Sequence, residues 1–480
     1  MPLRTVPRYR AAVSMSRLWL FLAVALPVLA AVMAPMSSVD LTYQLRAGGD
    51  ILDTRTIPTV DTWTFTAAGV PWVDQQWGAQ VILGAVYRVG GWTGLVLLRA
   101  ALTGLIVGLT LWIARRRGLD PRLAAFLTVL AFIVAAPAMA LRPQLFGMAC
   151  FVVALALVVA RRERPRALWL VALVTLAWAN LHGSFILAPI LLGLAWIEDL
   201  ADRSPRARTT FVAALLTVFA ACITPFGPGV WTYAAGLTSN PSVTARTTEW
   251  QPTSLRDASG LLFFGSVAAV ATVIARGGRR IPWPTLLWLG VFIAIGTLAQ
   301  RGVAWWPFVA VSVVSGGLLA VTPRPIAPGS PAVNAVVATL VVAATIALLP
   351  FWRPVDGRTG VPVVVLTDAP PGITHAVREL VRPGDRILDP QRWGSWLEFS
   401  VPVAKVAVDS RIEFFPANVW DAYERVLAGV DGWQRQLTDW DVTIAITEPS
   451  QTAFEDRLRV LGWVARYDDP DGTVWTAPGR

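Results

Sequence analysis

The chain has 480 residues, of which 55% are hydrophobic and only 15% are charged, and its mean hydropathy is +0.55. A soluble domain averages about 25% charged residues. The apolar residues are clustered in runs near or above the ~18 residues that indicate a membrane span. Length and composition therefore exclude an ordinary soluble enzyme and a disordered chain, and they predict an α-helical polytopic membrane protein.

Apolar runs predict about 11 transmembrane helices. They lie near residues 18–36, 92–114, 122–140, 143–160, 167–180, 184–197, 209–224, 259–275, 282–299, 303–322 and 332–351. Four arginines precede the first run and place the N-terminus in the cytoplasm by the positive-inside rule; they are Arg4, Arg8, Arg10 and Arg17. A cleaved signal peptide is the alternative explanation of residues 1–36, although no clear A-x-A cleavage site follows the run.

The net charge of +10 does not indicate a nucleic-acid partner, because the arginines fall in short clusters between apolar runs. With eleven crossings, every such cluster lies on the cytoplasmic side. The clusters are at 115–117 with Arg122, at 161–166, 203–208 and 276–280, and at Arg324. An odd number of crossings leaves residues 352–480 outside the cytoplasmic membrane.

Residues 352–480 differ in composition from the rest of the chain, since they contain no long apolar run. Short β-like and helix-like pieces alternate there, which predicts a small α/β domain. The β-like pieces are Arg386–Leu388, Val403–Val408, Val442–Ile446 and Trp463–Tyr467, and the helix-like pieces are Ile373–Val381, Val419–Leu427 and Thr452–Leu461. The predicted organisation is a transmembrane domain at 1–351, with a first outer loop at 37–91, followed by an extracytoplasmic α/β domain at 352–480.

The apolar stretch 167–197 has basic, cytoplasmic flanks and must therefore cross the membrane an even number of times. Its length gives roughly 46 Å of helix, whereas two full crossings need roughly 60 Å. The tip at 180–184 is thus expected below the outer surface, in a cavity that opens outward. His182 at this tip is a candidate substrate-binding residue; a structural hydrogen-bonding role is the alternative.

Asp40 stands directly after the first predicted span, where a carboxylate can face a cavity at the membrane surface. Such a group can accept the proton of an acceptor hydroxyl during sugar transfer, so Asp40 is a candidate catalytic base. The alternative is an N-cap of the helix that follows. Further along the first outer loop, Arg46, Asp61 and Asp74 are candidate substrate-binding residues, and loop structure is the alternative for the two carboxylates.

The rest of the first outer loop is expected to lie along the membrane surface. Its aromatic side chains are typical of a membrane interface; they are Trp63, Phe65, Trp72 and Trp77. A helix-like stretch at 77–90 is expected to follow the surface before the second span.

Arg142 and Arg301 stand between spans on a side that otherwise avoids arginine. A guanidinium can bind a phosphate with two hydrogen bonds and stabilise the charge of a leaving group, so both are candidate substrate-binding residues. Snorkelling at the interface is the alternative. Arg99 lies inside the second span with either role open, and Arg246 is expected to be solvated in its long loop.

A second acidic candidate lies near the end of the outer loop at 225–258. Glu249 is a candidate catalytic carboxylate, and Trp250 beside it is a candidate platform for stacking a sugar. Interfacial anchoring is the alternative for the tryptophan. In the C-terminal region, the D-x-D form at 439–441 is interpreted as a chance match, and the polar run at 408–413 as a structural Asp–Arg pair.

Several short motifs, spread over nearly the whole chain, resemble bacterial multi-span proteins of the glycosyltransferase C (GT-C) superfamily. They are Asp40, Arg46 and Gly48; Ile57-Pro58; Pro71-Trp72-Val73-Asp74; Arg142-Pro143-Gln144-Leu145-Phe146; Asn180-Leu181-His182-Gly183; Pro225-Phe226-Gly227; Glu249-Trp250; Gly394-Ser395-Trp396-Leu397; and Val408-Asp409-Ser410-Arg411. The resemblance implies a GT-C fold, a sugar donor carried on polyprenyl phosphate, and transfer on the outer face of the bacterial cytoplasmic membrane. It implies that Asp40 is the base. Gln44 stands where relatives carry a histidine.

The expected partners are a polyprenyl-phosphate lipid, the membrane, and a glycan, lipid or protein acceptor. No cofactor is predicted, and no second His or Cys accompanies His182 at metal-ligand spacing on the outer side; the need for a divalent metal stays open. Two other functions also stay open at this point. One is a transporter or flippase for a lipid-linked glycan, and the other is a non-catalytic scaffold of an envelope-glycan assembly complex.

Overall fold

The structure is a computed structural model that describes residues 13–238, 241–276, 281–317 and 329–480. Several residues used above lie outside these ranges. They are Arg4, Arg8, Arg10, residues 277–280 of one arginine cluster, residues 318–322 of the tenth predicted run, and Arg324.

The described part of the membrane region is built from helices with short connections. They are α1 (Met15–Met33), α2 (Ser38–Thr54), α3 (Trp77–Arg116), α4 (Pro121–Ala135), α5 (Pro143–Ala160), α6 (Leu168–Leu181), α7 (Leu187–Ala201), α8 (Ala207–Ala220), α9 (Gly229–Thr238), α10 (Pro241–Arg246), α11 (Ala258–Arg276), α12 (Trp283–Leu298), α13 (Trp306–Gly317) and α14 (Pro331–Ala347). Within the described residues, six helices are long and apolar enough to cross a membrane, and five shorter apolar helices fall on the other predicted spans. The polytopic helical fold is thereby confirmed.

The two ends of this helical bundle differ in their charged residues and in whether residues 352–480 pack against them. Arg142 precedes α5 and Arg161 follows it, so the two lie roughly 27 Å apart along a helix of this length. We call the end marked by Asp40, Arg142 and Arg301 the domain end, because residues 352–480 pack there. The end marked by Arg117 and Arg161 is called the opposite end.

The first loop begins with α2, whose N-cap is Ser37; its hydroxyl accepts a hydrogen bond from the amide of Val39. Asp40 lies in the first turn of that helix and is not its cap, so the N-cap alternative for Asp40 is wrong. The expected break before the second span is present: Gly91 has φ 54° inside α3, a value that glycine adopts without a side-chain clash. Residues 77–90 therefore form a separate helical arm.

The connection between α6 and α7 is irregular, as the length of the apolar stretch predicts. His182 is extended, and a 3-10 turn over Gly183–Ile186 leads into α7. Protein covers the tip: Gln75 donates to the carbonyl of Ala179 at 2.6 Å, and the indole of Trp77 donates to the side chain of Asn180 at 3.0 Å. These bonds satisfy polar groups that lipid would leave unpaired.

The C-terminal region contains the predicted α/β fold. Its helices are α15 (Pro371–Leu380), α16 (Gln391–Ser400), α17 (Ala417–Ala428), α18 (Trp433–Asp439) and α19 (Thr452–Val460). A two-stranded parallel pair joins β1 (Met36–Ser37) to β2 (Leu366–Thr367), and a five-stranded sheet has the order β4-β3-β5-β7-β6, from β3 (Arg386–Leu388), β4 (Lys405–Val406), β5 (Ile444–Thr447), β6 (Val464–Asp469) and β7 (Gly472–Thr476). The four β-like pieces and three helix-like pieces correspond to elements here; α16, α18 and β7 were not predicted.

The aromatic side chains of the first loop contact the C-terminal region. Trp63 is buried, and the guanidinium of Arg411 lies over its ring at 4.7 Å and over the ring of Trp72 at 4.6 Å. Phe65 packs edge-on against Trp440 at 5.9 Å. The expected interfacial placement is therefore wrong for these three side chains, because a protein surface covers them. Trp77 is half-buried, and its indole bonds to the tip between α6 and α7.

Candidate active site

A cavity of about 330 Å³ lies at the domain end, between the helical bundle and residues 391–413. It brings together side chains that are far apart in the sequence. Six of the nine predicted site residues line it: Asp40, Arg142, His182, Glu249, Trp250 and Arg301. Its volume falls in the range of small-molecule sites, about 300–1,000 Å³.

Four of these side chains form a row of alternating charge. Arg142 donates to Asp40 at 3.2 Å through Nη1 and to Glu249 at 2.6 Å through Nη2. The other oxygen of Glu249 lies 3.4 Å from Nε of Arg301. Glu249 therefore bridges the two arginines, whereas Asp40 contacts one of them and its side chain is 38% exposed.

Each member of the row occupies a place where helices begin or end. Asp40 is in the first turn of α2, where the helix dipole favours a carboxylate. Arg142 precedes Pro143, which begins α5 and needs no amide partner there. Glu249 and Arg301 lie on two short 3-10 turns joined by a hydrogen bond from the amide of Gln300 to the carbonyl of Gln251, at 2.9 Å.

Arg301 is the arginine of the row whose side chain forms no hydrogen bond within the described residues. Its guanidinium lies over the ring of Trp250 at 4.8 Å. Its Nε is buried and, among the described residues, has no hydrogen-bond partner. A smaller cavity of about 70 Å³ lies next to the row, and Arg142 and Arg301 also line this cavity. Apolar side chains of α4 and the turn after it, including Val134 and Pro137, line that cavity, so charge and an apolar wall meet here.

The pKa values of two acidic side chains at the site, Glu249 and Glu413, are shifted in opposite directions. Burial alone would raise the pKa of Glu249, but Arg142 and Arg301 outweigh it and hold that pKa below its ordinary value. Glu249 is therefore ionised at neutral pH. Burial raises the pKa of Glu413, which lines the cavity from the C-terminal region.

His182 lies in the cavity wall at the tip between α6 and α7. Its Nδ1 is 2.7 Å from Oγ of Ser184, and that hydroxyl accepts a hydrogen bond from the indole of Trp178 at 3.0 Å. One ring nitrogen thus has a protein partner that fixes the ring. The structure supports the structural role of His182 and also leaves it facing the cavity.

Three predicted substrate-binding residues do not line the cavity. Arg46 donates to the carbonyl of Glu398 at 2.7 Å, and Asp61 forms a buried ion pair with Arg411 at 2.7 Å. Asp74 is buried and accepts a hydrogen bond from Gln80 at 2.7 Å. Arg46 and Asp61 are thus bound to the C-terminal region, and Asp74 is bound to the helical arm at 77–90.

Two arginines outside the row, Arg99 and Arg246, have structural partners. Arg99 is buried in α3 and donates to the carbonyls of Ala34 and Pro35, the latter at 3.0 Å, which closes the end of α1. Arg246 was expected to be solvated, and this is wrong. It lines the cavity and forms an ion pair with Glu424 at 2.9 Å.

Sequence reasoning missed part of the cavity wall. The additional polar lining residues are Tyr43, Gln44, Gln76, Gln144, Thr247, Thr248, Gln391, Ser410 and Glu413. The last three come from the C-terminal region, at the start of α16 and in the run after β4. That run, at 408–413, was interpreted as a structural Asp–Arg pair. The pair is present, with Asp409 and Arg411 2.5 Å apart, but neighbouring side chains face the cavity.

Within the described ranges, no group of three or more His, Cys, Asp or Glu side chains is arranged to hold a metal ion. Of the D-x-D form, Asp439 lies 3.7 Å from Arg435, and Trp440 packs against Phe65. At the candidate site, Asp40 and Glu249 are instead paired with arginines.

The fold is similar to that of ArnT from Cupriavidus metallidurans. The apo structure of that protein matches with a TM-score of 0.56 and 14% identity over 95% of this chain and 97% of ArnT. The chain therefore shares the fold of ArnT. The structure of the same ArnT bound to undecaprenyl phosphate matches with a TM-score of 0.53 and 14% identity, with the same coverage of 95% and 97%.

An oligosaccharyltransferase of Archaeoglobus fulgidus in the apo form also matches, with a TM-score of 0.49 and 11% identity over 89% of this chain and 69% of that one. No protein-family model matches the chain, and no curated protein does. The similarity to ArnT concerns the arrangement of the backbone, since few residues are identical.

Proposed function

We propose that the protein is a glycosyltransferase that moves a sugar from a polyprenyl-phosphate carrier to an acceptor hydroxyl. The observation that carries this proposal is the row of Asp40, Arg142, Glu249 and Arg301 in the wall of one cavity. The adjoining small cavity, where Arg142 and Arg301 lie beside apolar side chains such as Val134, supports a donor with a charged head next to an apolar tail. The GT-C fold, shared with an ArnT that binds undecaprenyl phosphate, agrees with it.

The roles follow from the contacts. Asp40 is the more exposed carboxylate and contacts a single arginine, so it takes the proton of the acceptor hydroxyl. The acceptor oxygen then bonds to the anomeric carbon of the sugar, and the bond from that carbon to the phosphate oxygen breaks. Arg301 and Arg142 bind the departing polyprenyl phosphate and stabilise its added negative charge.

Glu249 has a different role from the one expected from the sequence. Its two oxygens face two arginines, and its low pKa keeps it ionised. We infer that it is a positioning residue that holds both guanidinium groups toward the donor phosphate. His182 and Trp250 complete the wall beside these groups and contact donor or acceptor sugar.

The proposed reaction takes place on the outer face of a bacterial cytoplasmic membrane. Arginines concentrate at the opposite end of the bundle, where positive-inside orientation places the cytoplasm. In the described ranges these include Arg115, Arg116, Arg117, Arg161, Arg162, Arg164, Arg166, Arg203, Arg206, Arg208 and Arg276. The acceptor class is a glycan, lipid or protein of the cell envelope.

A transfer assay tests the proposal. Membranes containing the protein are incubated with a polyprenyl-phosphate sugar labelled in the sugar, together with an envelope acceptor fraction, and label in the acceptor is measured. Asp40→Asn should lower the rate about 10²–10⁴-fold, as expected for loss of a general base. Asp53→Asn is the matched control on the same helix, since Asp53 is exposed and paired with Arg88. Full transfer by the Asp40 variant would refute the base assignment.

A second experiment identifies the lipid. Mass spectrometry of lipid that co-purifies with the wild type should find a polyprenyl phosphate or its glycosylated form, and Arg142→Ala should lose it. If both proteins carry only bulk phospholipid while their thermal unfolding is unchanged, the transferase proposal fails and a scaffold is favoured. Movement of a lipid-linked glycan across vesicles without covalent change would favour a transporter.

A further inference from the structure

A second cavity, of about 400 Å³, lies at the opposite end of the bundle. It separates α5 from α11 and α12, and α13 also contributes to its wall. Apolar side chains form most of that wall, among them Ile274, Trp288 and Val313. Only 11% of the apolar window of α11 is buried inside the protein, so this side of the cavity borders the bilayer.

The rim of this cavity is charged. Its ionisable lining residues are Arg117, Arg161, Arg162, Glu198 and Asp202. Glu198 pairs with Arg161 at 2.6 Å and with Arg162 at 2.5 Å, and Arg162 also lies 3.6 Å from Asp202. The buried Asp199 beside the rim binds Arg161 and Arg206. These groups are matched with one another inside the protein.

Arg117 is the exception. Among the residues that the structure describes, its guanidinium forms no ion pair and no hydrogen bond, and its Nε is buried without a partner. Counted over the described lining residues, the rim therefore has one positive charge in excess, and Arg117 is the unpaired one. An anion with an apolar tail satisfies both features, since the buried Nε of Arg117 lacks a hydrogen-bond partner and the cavity wall is mostly apolar.

We propose that this cavity binds an anionic phospholipid of the adjacent leaflet, with its phosphodiester on Arg117 and an acyl chain against the apolar wall. Basic pockets between transmembrane helices on the cytoplasmic side are a known type of lipid head-group site. A phosphodiester has one negative charge, which equals the excess on the rim, whereas a phosphomonoester has about −1.5 to −2 at pH 7. The proposal is independent of sugar transfer, because the site lies at the far end of α5 from Arg142.

Native mass spectrometry of the delipidated full chain tests this site. Phosphatidylglycerol, phosphatidylcholine and undecaprenyl phosphate are added separately at equal concentrations. The wild type should retain phosphatidylglycerol in preference to phosphatidylcholine, and Arg117→Gln should bind phosphatidylglycerol about tenfold more weakly. Arg122→Gln is the control, since Arg122 is an exposed arginine at the same end that does not line the cavity. It should behave as the wild type.

A second variant keeps the test decisive if Arg117→Gln fails to fold. Gly316 lines the cavity, and a Cβ added there meets no described atom within 4 Å, so Gly316→Phe adds a ring at the cavity wall without a clash with the described backbone. It should also lose phosphatidylglycerol. Equal binding of the two phospholipids by the wild type overturns the proposal, as does undiminished phosphatidylglycerol binding by either folded variant. Preferential binding of undecaprenyl phosphate that Arg117→Gln abolishes assigns the cavity to a phosphomonoester lipid instead, and equally overturns it.

Discussion

Arg411 donates a hydrogen bond to Asp61 at 2.7 Å, across 350 positions of sequence. Both side chains are almost fully buried, and Asp409 lies 2.5 Å from the same guanidinium. The contact fixes the C-terminal region on the first loop. It thereby also places Ser410 and Glu413, the neighbours of Arg411 in sequence, in the cavity wall opposite the bundle.

Removing Arg411 should destabilise this junction. Arg411→Met leaves Asp61 and Asp409 as buried carboxylates without their cation, and breaking a buried pair in this way costs about 3–5 kcal/mol. The midpoint of thermal unfolding in detergent should fall, and limited proteolysis should release the C-terminal region earlier. Arg435→Met is the control because the side chain of Arg435 is 88% exposed. An unchanged midpoint for Arg411→Met would contradict the junction.

Arg301 should matter more for the donor than for folding. Its Nε has no hydrogen-bond partner within the described part of the chain, so Arg301→Gln removes the ion pair with Glu249 and the contact with Trp250 but no hydrogen bond. Loss of one donor to a developing charge lowers rates by about 10²–10³-fold, and kcat/KM for the lipid-linked donor should fall by that amount. Arg256→Gln, at an exposed arginine outside the cavity, should leave kcat/KM unchanged. Equal loss in both variants would argue against phosphate binding by Arg301.

The raised pKa of Asp74 predicts that the free energy of unfolding depends on pH. Burial raises the pKa of Asp74 to about 7, against the opposing effects of Gln80 and Arg411. The folded protein therefore holds a proton that the unfolded chain has lost above pH 4, and stability falls as pH rises toward 7. Between pH 5 and pH 8 this group should contribute a loss of roughly 2–3 kcal/mol.

Thermal unfolding in detergent at both pH values, with Asp74→Asn beside the wild type, isolates this contribution. The variant should lose less stability than the wild type between pH 5 and pH 8, because its amide does not ionise. Identical pH profiles for the two proteins would show that Asp74 is already ionised in the folded state.

Gly48 and Gly49 provide a matched pair on α2. A Cβ at Gly48 would lie 1.9 Å from the carbonyl oxygen of Gln80, where α2 and α3 approach most closely, whereas at Gly49 the nearest atom is the end of Arg88 at 3.8 Å. Gly48→Ala should therefore destabilise the protein by about 1–3 kcal/mol through overpacking. Because the same helix carries Asp40, transfer should also decrease.

Gly49→Ala introduces the same methyl group one position along the helix. It should leave stability unchanged or raise it by up to about 1 kcal/mol, as alanine favours helix more than glycine does. Thermal unfolding and the transfer assay measured on both variants check the pair. A similar loss in both would show that helix propensity, and not the contact with α3, decides the effect.

The membrane-spanning elements were predictable because each is an autonomous apolar run. The run at 143–160 coincides with α5, and the break at the tip near His182 followed from a length that is too short for two full crossings. In the C-terminal region, α16 was missed because Trp393, Trp396 and Leu397 are buried on several sides, so its sequence lacks a simple polar face.

The candidate site was predictable only where a charge stood out from an apolar background. Arg142, Arg301 and Glu249 did so, each at the edge of a span. Arg46 and Asp61 resembled them in sequence, yet their partners are Glu398 and Arg411, more than 300 positions away. No local pattern contains such a contact.

The sequence by itself determined the polytopic helical architecture, the irregular tip and the side of the bundle on which unusual charges collect. These depend on hydropathy, helix length and arginine distribution, which are local properties of the chain. Only the tertiary structure decided which charges meet. Glu249 bridges Arg142 and Arg301, and Glu413 enters the same wall from the C-terminal region. The physical reason is that an ion pair depends on distances of a few ångströms, which are set by how helices and sheet pack together.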